Sequence, residues 1–349
     1  MSRGTFFQSD AFKILVFTVG TVVLGAVLAP FLYQGGKYVV AQGWLEGTLF
    51  DGINGSMDRA KFSRYFNRAI LLGGFIMIFP AVRWLNAGKK GRGSVKEFLK
   101  LEPNPAWWRH LITGFLVGGA SLILLGWGYV AQGWYLMNDT DASLYEILLE
   151  ALGTGIAVGL LEELVFRGAL YAVLSKILRP KPLFFVVAAL FALLHFFNPP
   201  HSLSVDVVHG GSGFWFVGRI FQHFFSQFGD FYFLLSEFAV LFAIGLVLGY
   251  TREKTGSLWL GIGLHAGWVF GVKTLSPLTT RAFDRDAMMP WLGDTLRVGA
   301  VSFFVVAFTG LAMWLWFRQS NRRMEQESEQ EEQEEQEEQE EQEEQEEQG

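Results

Sequence analysis

Residues 159–171 of the chain read Gly-Leu-Leu-Glu-Glu-Leu-Val-Phe-Arg-Gly-Ala-Leu-Tyr. Glu162, Glu163 and Arg167 stand here inside a run that is otherwise apolar enough to lie in a bilayer. An ionisable side chain at membrane depth is energetically costly and is therefore a candidate functional group. This stretch predicts both a membrane-embedded helix and the centre of a site.

Composition indicates a membrane protein. Of the 349 residues, 51% are hydrophobic, and several apolar runs reach the length of about 20 residues that a spanning helix needs. We predict an all-α fold, a polytopic membrane bundle of about eight transmembrane helices. The predicted spans cover residues 12–33, 66–86, 111–134, 144–176, 182–198, 230–250, 257–273 and 297–317. The fourth is long enough to tilt, kink or extend beyond the bilayer, and the short, glycine-rich seventh could be a broken or re-entrant helix.

Charges in the connections predict the orientation. Basic residues concentrate in the connections at 87–110, 176–181 and 252–254 and again after residue 317, whereas 135–143 holds only acidic charges. Because Lys and Arg mark cytoplasmic loops, we predict that the N-terminus and the C-terminus are both cytoplasmic. Seven cations conflict with this interpretation because they fall in connections predicted to lie outside: Lys37, Arg59, Lys61, Arg64, Lys273, Arg281 and Arg285.

The C-terminal segment differs from the rest of the chain. It repeats Glu-Glu-Gln and holds 15 of the 34 acidic residues, so the net charge of −6 hides a body with 28 basic and 19 acidic residues. With no apolar face to bury, this tail is predicted to be disordered or at most a solvated helix. We therefore divide the chain into N-terminal transmembrane helices with a basic loop (1–135), a core (140–275), a loop with the last transmembrane helix (276–323) and the tail (324–349).

Several classes of protein are excluded by what the sequence lacks. Cysteine is absent, which removes disulfides, thiolate metal sites and a cysteine nucleophile. The chain also has no His-Glu-x-x-His, no Gly-Lys-Ser/Thr phosphate loop and no Gly-x-Ser-x-Gly elbow. The basic body suits contact with membrane lipids, and its charges lie between spans rather than in a pattern typical of nucleic-acid binding.

Helical geometry separates the three charges of residues 159–171. Glu163 and Arg167 are four residues apart, so their side chains should meet as an ion pair. Glu162 is rotated by about 100° from Glu163 and has no local counter-charge, which makes it the candidate general base. His195 and His265 lie on two other predicted spans and could converge with it. The three charges alone are equally compatible with a structural ion pair beside an interfacial glutamate.

Three motifs together resemble those of a known family. Glu-Glu-x-x-x-Arg at 162–167, Phe-x-x-x-His at 191–195 and His265 on a glycine-rich helix look like the motifs of the CPBP family. This family comprises the CAAX prenyl proteases and bacteriocin-processing or immunity proteins, and is also called the Abi family. The resemblance covers about residues 140–275 and implies an intramembrane glutamate-dependent endopeptidase.

The resemblance also implies a role for each motif residue. Glu162 would activate the attacking water, and His195 and His265 would position that water or stabilise the oxyanion. Glu163 and Arg167 would hold the site together. The substrate would be a membrane-associated or lipidated peptide or protein, and the simplest location is the inner (plasma) membrane of a bacterium.

One position departs from the family pattern. The family usually has Asn or Asp four residues after the last histidine, and Val269 stands there in this chain. Asn198, close to His195 in sequence, is a possible auxiliary residue that could supply the missing amide. Val269 also keeps a second hypothesis open, in which a catalytically impaired CPBP-like membrane protein binds a peptide or partner in an immunity-type role.

A cofactor is not required by the proposed chemistry. If the reaction is metal-dependent, Glu162, His195 and His265 would be the ligands of a Zn²⁺ ion with one open position. The expected partners are a peptide or membrane-protein substrate and membrane lipids.

Overall fold

The computed structural model describes residues 10–48, 51–86, 100, 104–140, 142–175, 178–197, 203, 205 and 207–347. Its α-helices are α1 (Asp10–Ala41), α2 (Asp51–Arg59), α3 (Phe62–Asn86), α4 (Trp107–Ala131), α5 (Leu144–Glu163), α6 (Tyr171–Leu174), α7 (Pro180–His195), α8 (Ser212–Ser226), α9 (Phe231–Thr255), α10 (Trp259–Leu278), α11 (Arg285–Met288) and α12 (Ala300–Glu347). A π-helix, Leu164–Leu170, joins α5 to α6, and a 3-10 turn, Gln227–Gly229, follows α8. The strands β1 (Tyr135–Met137) and β2 (Thr279–Arg281) pair antiparallel and tie the end of α4 to the end of α10.

The all-α class and the membrane character are confirmed. Five stretches of helix are long and apolar enough to cross a membrane: Leu15–Ala41, Trp107–Ala131, Leu144–Leu174, Phe231–Thr255 and Ala300–Ser320. α7 is apolar but shorter. Each of the eight predicted spans coincides with a helix, and the number of helices that actually cross stays a prediction.

Three predictions for individual segments need correction or completion. The seventh predicted span is not broken, because α10 is one continuous helix, and whether it is re-entrant stays a prediction. The fourth contains the π-helix, which the sequence analysis did not predict, and its tilt, kink or extension beyond the bilayer stays a prediction. The predicted loop at 199–229 contains the helix α8, whose aromatic residues at helical spacing the hydropathy analysis did not recognise.

Glycines bring α10 into backbone contact with two other helices. A Cβ atom on Gly118 of α4 would lie 2.3 Å from the carbonyl oxygen of Leu264, and one on Gly155 of α5 would lie 2.6 Å from that of Ala266. Real Cβ atoms do not approach a backbone oxygen so closely, so these positions accept no side chain. Small residues that allow close approach are typical of helix pairs in membranes. α10 is therefore fixed between α4 and α5.

Contacts of the same kind join α7 to α9. A Cβ atom on Gly245 of α9 would lie 2.8 Å from the Cα atom of Ala188 in α7. Gly155 of α5 and Gly245 of α9 therefore both lie at close helix interfaces.

Several cations counted as loop residues belong to helices. Arg64 lies in α3, Lys273 lies in α10, and Arg252 lies in α9 with 8% of its surface exposed. Hydropathy ends a span at a charge, whereas each of these helices continues through it. These positions therefore cannot be counted as simple loop charges in the orientation argument.

The chain divides into two compact units, Met1–Val306 and Ala307–Gly349. In the second unit the helix α12 runs through the Glu/Gln repeat to Glu347. The repeat is helical as far as Glu347, and whether the tail is disordered or a solvated helix stays a prediction. Glu and Gln are good helix formers, which explains a helix that has no apolar face.

Candidate active site

The π-helix carries Arg167. Residues 164–170 form it directly after Glu163, the last residue of α5. A π-helix widens the turn and is found frequently at functional sites. The predicted ion pair is present across this change of helix type, with 2.8 Å between Arg167 Nη1 and Glu163 Oε1. Both residues are completely buried.

The guanidinium of Arg167 has partners on three helices. Nη2 donates to the carbonyl oxygen of Gly245 in α9 at 3.3 Å, and Cζ lies 4.3 Å from the ring centre of Phe191 in α7. Arg252 supports the same segment from α9, because its Nε donates to the carbonyl oxygen of Arg167 at 2.7 Å. Arg252 in turn stacks on Tyr171, with Cζ 3.8 Å from the ring centre. Arg167 thus joins the π-helix to α7 and α9.

Glu163 links Arg167 to His265. Its Oε1 accepts from Arg167 and also lies 2.9 Å from Nδ1 of His265 in α10. A buried carboxylate is tolerated when charged and polar donors surround it. Glu163 therefore orients His265.

The hydrogen bonds at Nδ1 determine which ring nitrogens face the centre of the site. Nδ1 of His195 lies 2.7 Å from the carbonyl oxygen of Phe191, which can only accept, so Nδ1–H donates. Nδ1 of His265 donates to Glu163 in the same way. In the neutral rings each Nε2 therefore carries a lone pair rather than a proton.

Glu162 lies between these two nitrogens. Its Oε2 is 3.7 Å from Nε2 of His195 and 3.8 Å from Nε2 of His265. Both distances are too long for a direct hydrogen bond. Among the described residues Oε2 has no hydrogen-bond partner, although it is buried. The structure thus brings Glu162, His195 and His265 together around one small space.

Glu162 and the two histidines are spaced slightly more widely than the ligands of an ideal tetrahedral Zn²⁺ site. Ligands of tetrahedral Zn²⁺ at about 2.0–2.1 Å from the metal would be about 3.4 Å apart, which is closer than the distances between Glu162 and the histidines. Within the described residues, no group of three or more His, Asp or Glu side chains has the geometry to hold a metal ion.

Two further positions complete the comparison with the sequence. Val269 lies one turn after His265 on α10 and offers no hydrogen-bonding side chain. Asn198 lies outside the described residues. Arg252 and Tyr171 were not predicted as part of the site. The sequence signal for Arg252 was its charge near the end of a span, which also fits a cytoplasmic loop.

Comparison with known proteins gives one match. Residues 144–271 match the family model described as type II CAAX prenyl endopeptidase Rce1-like. This part of the chain resembles the Rce1-like family. The matched segment is less than half of the chain; it begins with α5 and ends within α10, so it contains Glu162, His195 and His265. No match was found among curated proteins, and none among solved structures.

The match is to the family that the motifs resemble. Together with the helices that are long and apolar enough to cross a membrane, it indicates an integral membrane protein.

Proposed function

We propose that the chain hydrolyses a peptide bond of a membrane-associated or lipidated peptide or protein, with Glu162 as the general base. The observation that supports this proposal best is the position of Oε2 of Glu162, which lies without a hydrogen-bond partner among the described residues between two Nε2 atoms at 3.7 and 3.8 Å. The name of the matched family supports a lipidated substrate.

The tautomers of the histidines define how a water molecule would be held. Water placed between Glu162 and a histidine donates one hydrogen to the carboxylate and one to the lone pair of Nε2. Its oxygen lone pair is then free to attack the carbonyl carbon of the peptide bond. Glu162 accepts the proton as the bond forms, and this proton passes to the leaving nitrogen when the tetrahedral intermediate collapses.

The histidines act on the oxyanion only in a protonated form. Nε2 must gain a proton before it can donate to a negative oxygen, because Nδ1–H is already used by Phe191 or Glu163. In the neutral state His195 and His265 therefore position water. Glu163 and Arg167 hold His265 in the tautomer that this role needs.

Replacement of Glu162 tests the mechanism. We expect Glu162→Gln to lower the rate of cleavage by about 10²–10⁴-fold, the contribution typical of a general base. Membrane peptides of cells that carry the wild type or Glu162→Gln would be compared by mass spectrometry, with equal membrane insertion as the control. Identical peptide sets from the two strains would contradict the proposal and favour a binding role.

Chelation tests the proposal that catalysis needs no metal ion. Because Oε2 of Glu162 lies 3.7 and 3.8 Å from the two Nε2 atoms, more than the roughly 3.4 Å between ligands of tetrahedral Zn²⁺, we expect full cleavage activity after treatment with a chelator. Metal analysis of the purified protein is the accompanying measurement. Loss of activity on chelation, with recovery on adding Zn²⁺, would show that Glu162, His195 and His265 are ligands instead.

A further inference from the structure

One side of the helix α8 packs against the rest of the protein. Its buried residues share that side: Ser212, Gly213, Phe216 and Ile220. A Cβ atom on Gly213 would overlap the carbonyl oxygen of Ala26, so α8 touches the backbone of α1. The ring centre of Phe216 lies 5.1 Å from those of Phe62 and Phe66 in α3. This side of α8 is therefore occupied by α1 and α3.

The exposed side of α8 is divided into two stripes. With about 100° of rotation per residue, Phe214, Phe221 and Phe225 fall within about 40° of one another, and all three rings are exposed. We call these three residues the aromatic stripe. A polar stripe is centred about 110° away on the helix. Its exposed members are Arg219, Gln222 and Ser226.

The segment after α8 marks the membrane surface. Asp230 follows the 3-10 turn and precedes α9, which is long and apolar enough to cross a membrane. Its Oδ2 lies 3.0 Å from Nη2 of Arg285, and both side chains are partly exposed. Solvated charges of this kind lie where a span meets water, because hydrocarbon excludes them. With 15 residues, or about 22 Å, α8 itself is too short to cross a hydrocarbon core of about 30 Å.

The aromatic stripe continues toward the exposed side of α9. The ring centre of Phe224 lies 5.4 Å from that of Phe225 in the stripe and 5.5 Å from that of Phe228 in the turn. Phe228 is exposed, as are Phe231 and Tyr232 at the start of α9. The apolar surface of α8 is therefore continuous with that of a helix of spanning length, and the bilayer is the partner that this continuity indicates.

α8 and the turn after it also contact the end of α7. Phe224 stacks on Phe197 with 4.3 Å between the ring centres. Gln227 Nε2 donates to the carbonyl oxygen of Phe196 at 2.9 Å. Phe196 and Phe197 directly follow His195, the last residue of α7. A displacement of α8 is therefore transmitted to the residues next to His195.

We propose that α8 lies flat in the membrane interface, with the aromatic stripe among the lipid acyl chains and the polar stripe toward water, and that this lipid contact holds the end of α7 in place. An interfacial helix of this kind buries its apolar side about 5–10 Å into the boundary between headgroups and acyl chains. Trp215, whose ring centre lies 5.2 Å from Cζ of Arg219, is at headgroup level, where Trp is enriched. The bilayer thereby contributes to the position of His195.

Spin labels measure the depth of each stripe. Since the chain has no cysteine, Phe214→Cys, Phe225→Cys, Gln222→Cys and Ser226→Cys each provide one site for a nitroxide. The full-length variants would be placed in phosphatidylcholine nanodiscs. We expect labels at 214 and 225 to collide mainly with oxygen, at depths of about 5–10 Å, and labels at 222 and 226 mainly with a water-soluble nickel chelate. Residues 225 and 226 are the matched pair, because neighbours on a helix differ by about 100°.

Three results of the depth measurement would overturn the proposal. Strong collision with the nickel chelate at all four positions would place α8 in water. Weak collision with both reagents at 214 and 225 would mean that a second copy or another protein covers the aromatic stripe. A depth difference of about 16 Å between 214 and 225, the length of the 11 residues that separate them, would mean that α8 stands upright.

Hydrogen exchange tests the link to His195. The amides of Phe196 and Phe197 donate to the carbonyl oxygens of Leu193 and Leu194, so their exchange reports opening of the end of α7. The double variant Phe214→Ser/Phe225→Ser removes lipid contact and keeps the stack on Phe197. In the same nanodiscs we expect these amides to exchange about tenfold faster than in the wild type.

The polar stripe provides the matched control for hydrogen exchange. Arg219→Ser/Gln222→Ser changes two exposed residues of the same helix and should leave exchange at Phe196 and Phe197 unchanged. Unchanged exchange in Phe214→Ser/Phe225→Ser, or equal acceleration by both double variants, would overturn the link between lipid contact and α7. Neither measurement involves cleavage, so both results are independent of the outcome for the proposed hydrolysis.

Discussion

Glu162 and Glu163 are neighbours in sequence with different surroundings. Oε1 of Glu163 accepts from Arg167 and His265, whereas Oε2 of Glu162 lies between Nε2 of His195 and Nε2 of His265. The rotation between adjacent residues of a helix was enough to predict this difference from the sequence. The support from Arg252 could not be predicted, because it comes from a residue 85 positions away in sequence.

The buried ion pair gives a prediction for stability. Arg167→Met should lower the free energy of unfolding by about 3–5 kcal/mol, because it leaves the charge of Glu163 buried without its cation. Unfolding in mixed micelles with increasing denaturing detergent would measure this. The double variant Glu163→Gln/Arg167→Met should lose much less than the sum of the two single variants. Additive losses would mean that the two side chains do not act as a pair.

At the scale of the helix, the sequence predicted where helices lie better than where their geometry departs from the α-helix. Every predicted span coincides with a helix, because about 20 apolar residues in succession leave the backbone few alternatives to intrahelical hydrogen bonds. The π-helix at Leu164–Leu170 was not predicted, since one extra residue in a turn leaves no trace in hydropathy. It results from contacts with α7 and α9 that only the folded chain contains.

Glycine substitutions test the packing of α10. A Cβ atom on Gly263 would lie 2.1 Å from the carbonyl oxygen of Leu111, so Gly263→Ala must displace α10. We expect a loss of about 1–3 kcal/mol in the free energy of unfolding, together with loss of cleavage as His265 moves. Gly153→Ala in α5 is the matched control, since nothing lies within 4 Å of its Cβ position. It should gain about 0.5–1 kcal/mol. Equal effects of both substitutions would contradict the close contact.

For the whole molecule, the sequence predicted the all-α membrane class and the resemblance to a family. It did not predict which charged residues lie in helices rather than in loops. Motif spacing identified the residues that the family match contains. Charge counting treated Arg64, Arg252 and Lys273 as topology signals, although each lies in a helix of the bundle. A linear sequence does not show whether a cation near a span end faces water or turns into the bundle.

Single cysteines test the predicted orientation. The chain has no cysteine, so Asp139→Cys and Lys254→Cys each introduce one unique thiol at an exposed position. With both termini cytoplasmic, residue 139 lies outside and residue 254 inside. We expect a membrane-impermeant maleimide to label Asp139→Cys in intact cells and Lys254→Cys only after permeabilisation. The reverse pattern would invert the orientation.

The two histidines differ in how firmly their helices are held. His265 lies in the middle of α10, whose backbone touches α4 and α5 on either side, whereas His195 is the last residue of α7. One half of the site is therefore stiff and the other compliant. A displacement within the site is therefore expected at His195 rather than at His265. We expect amide hydrogens near His195 to exchange faster than those near His265. This result would mean that the end of α7 moves while α10 stays in place.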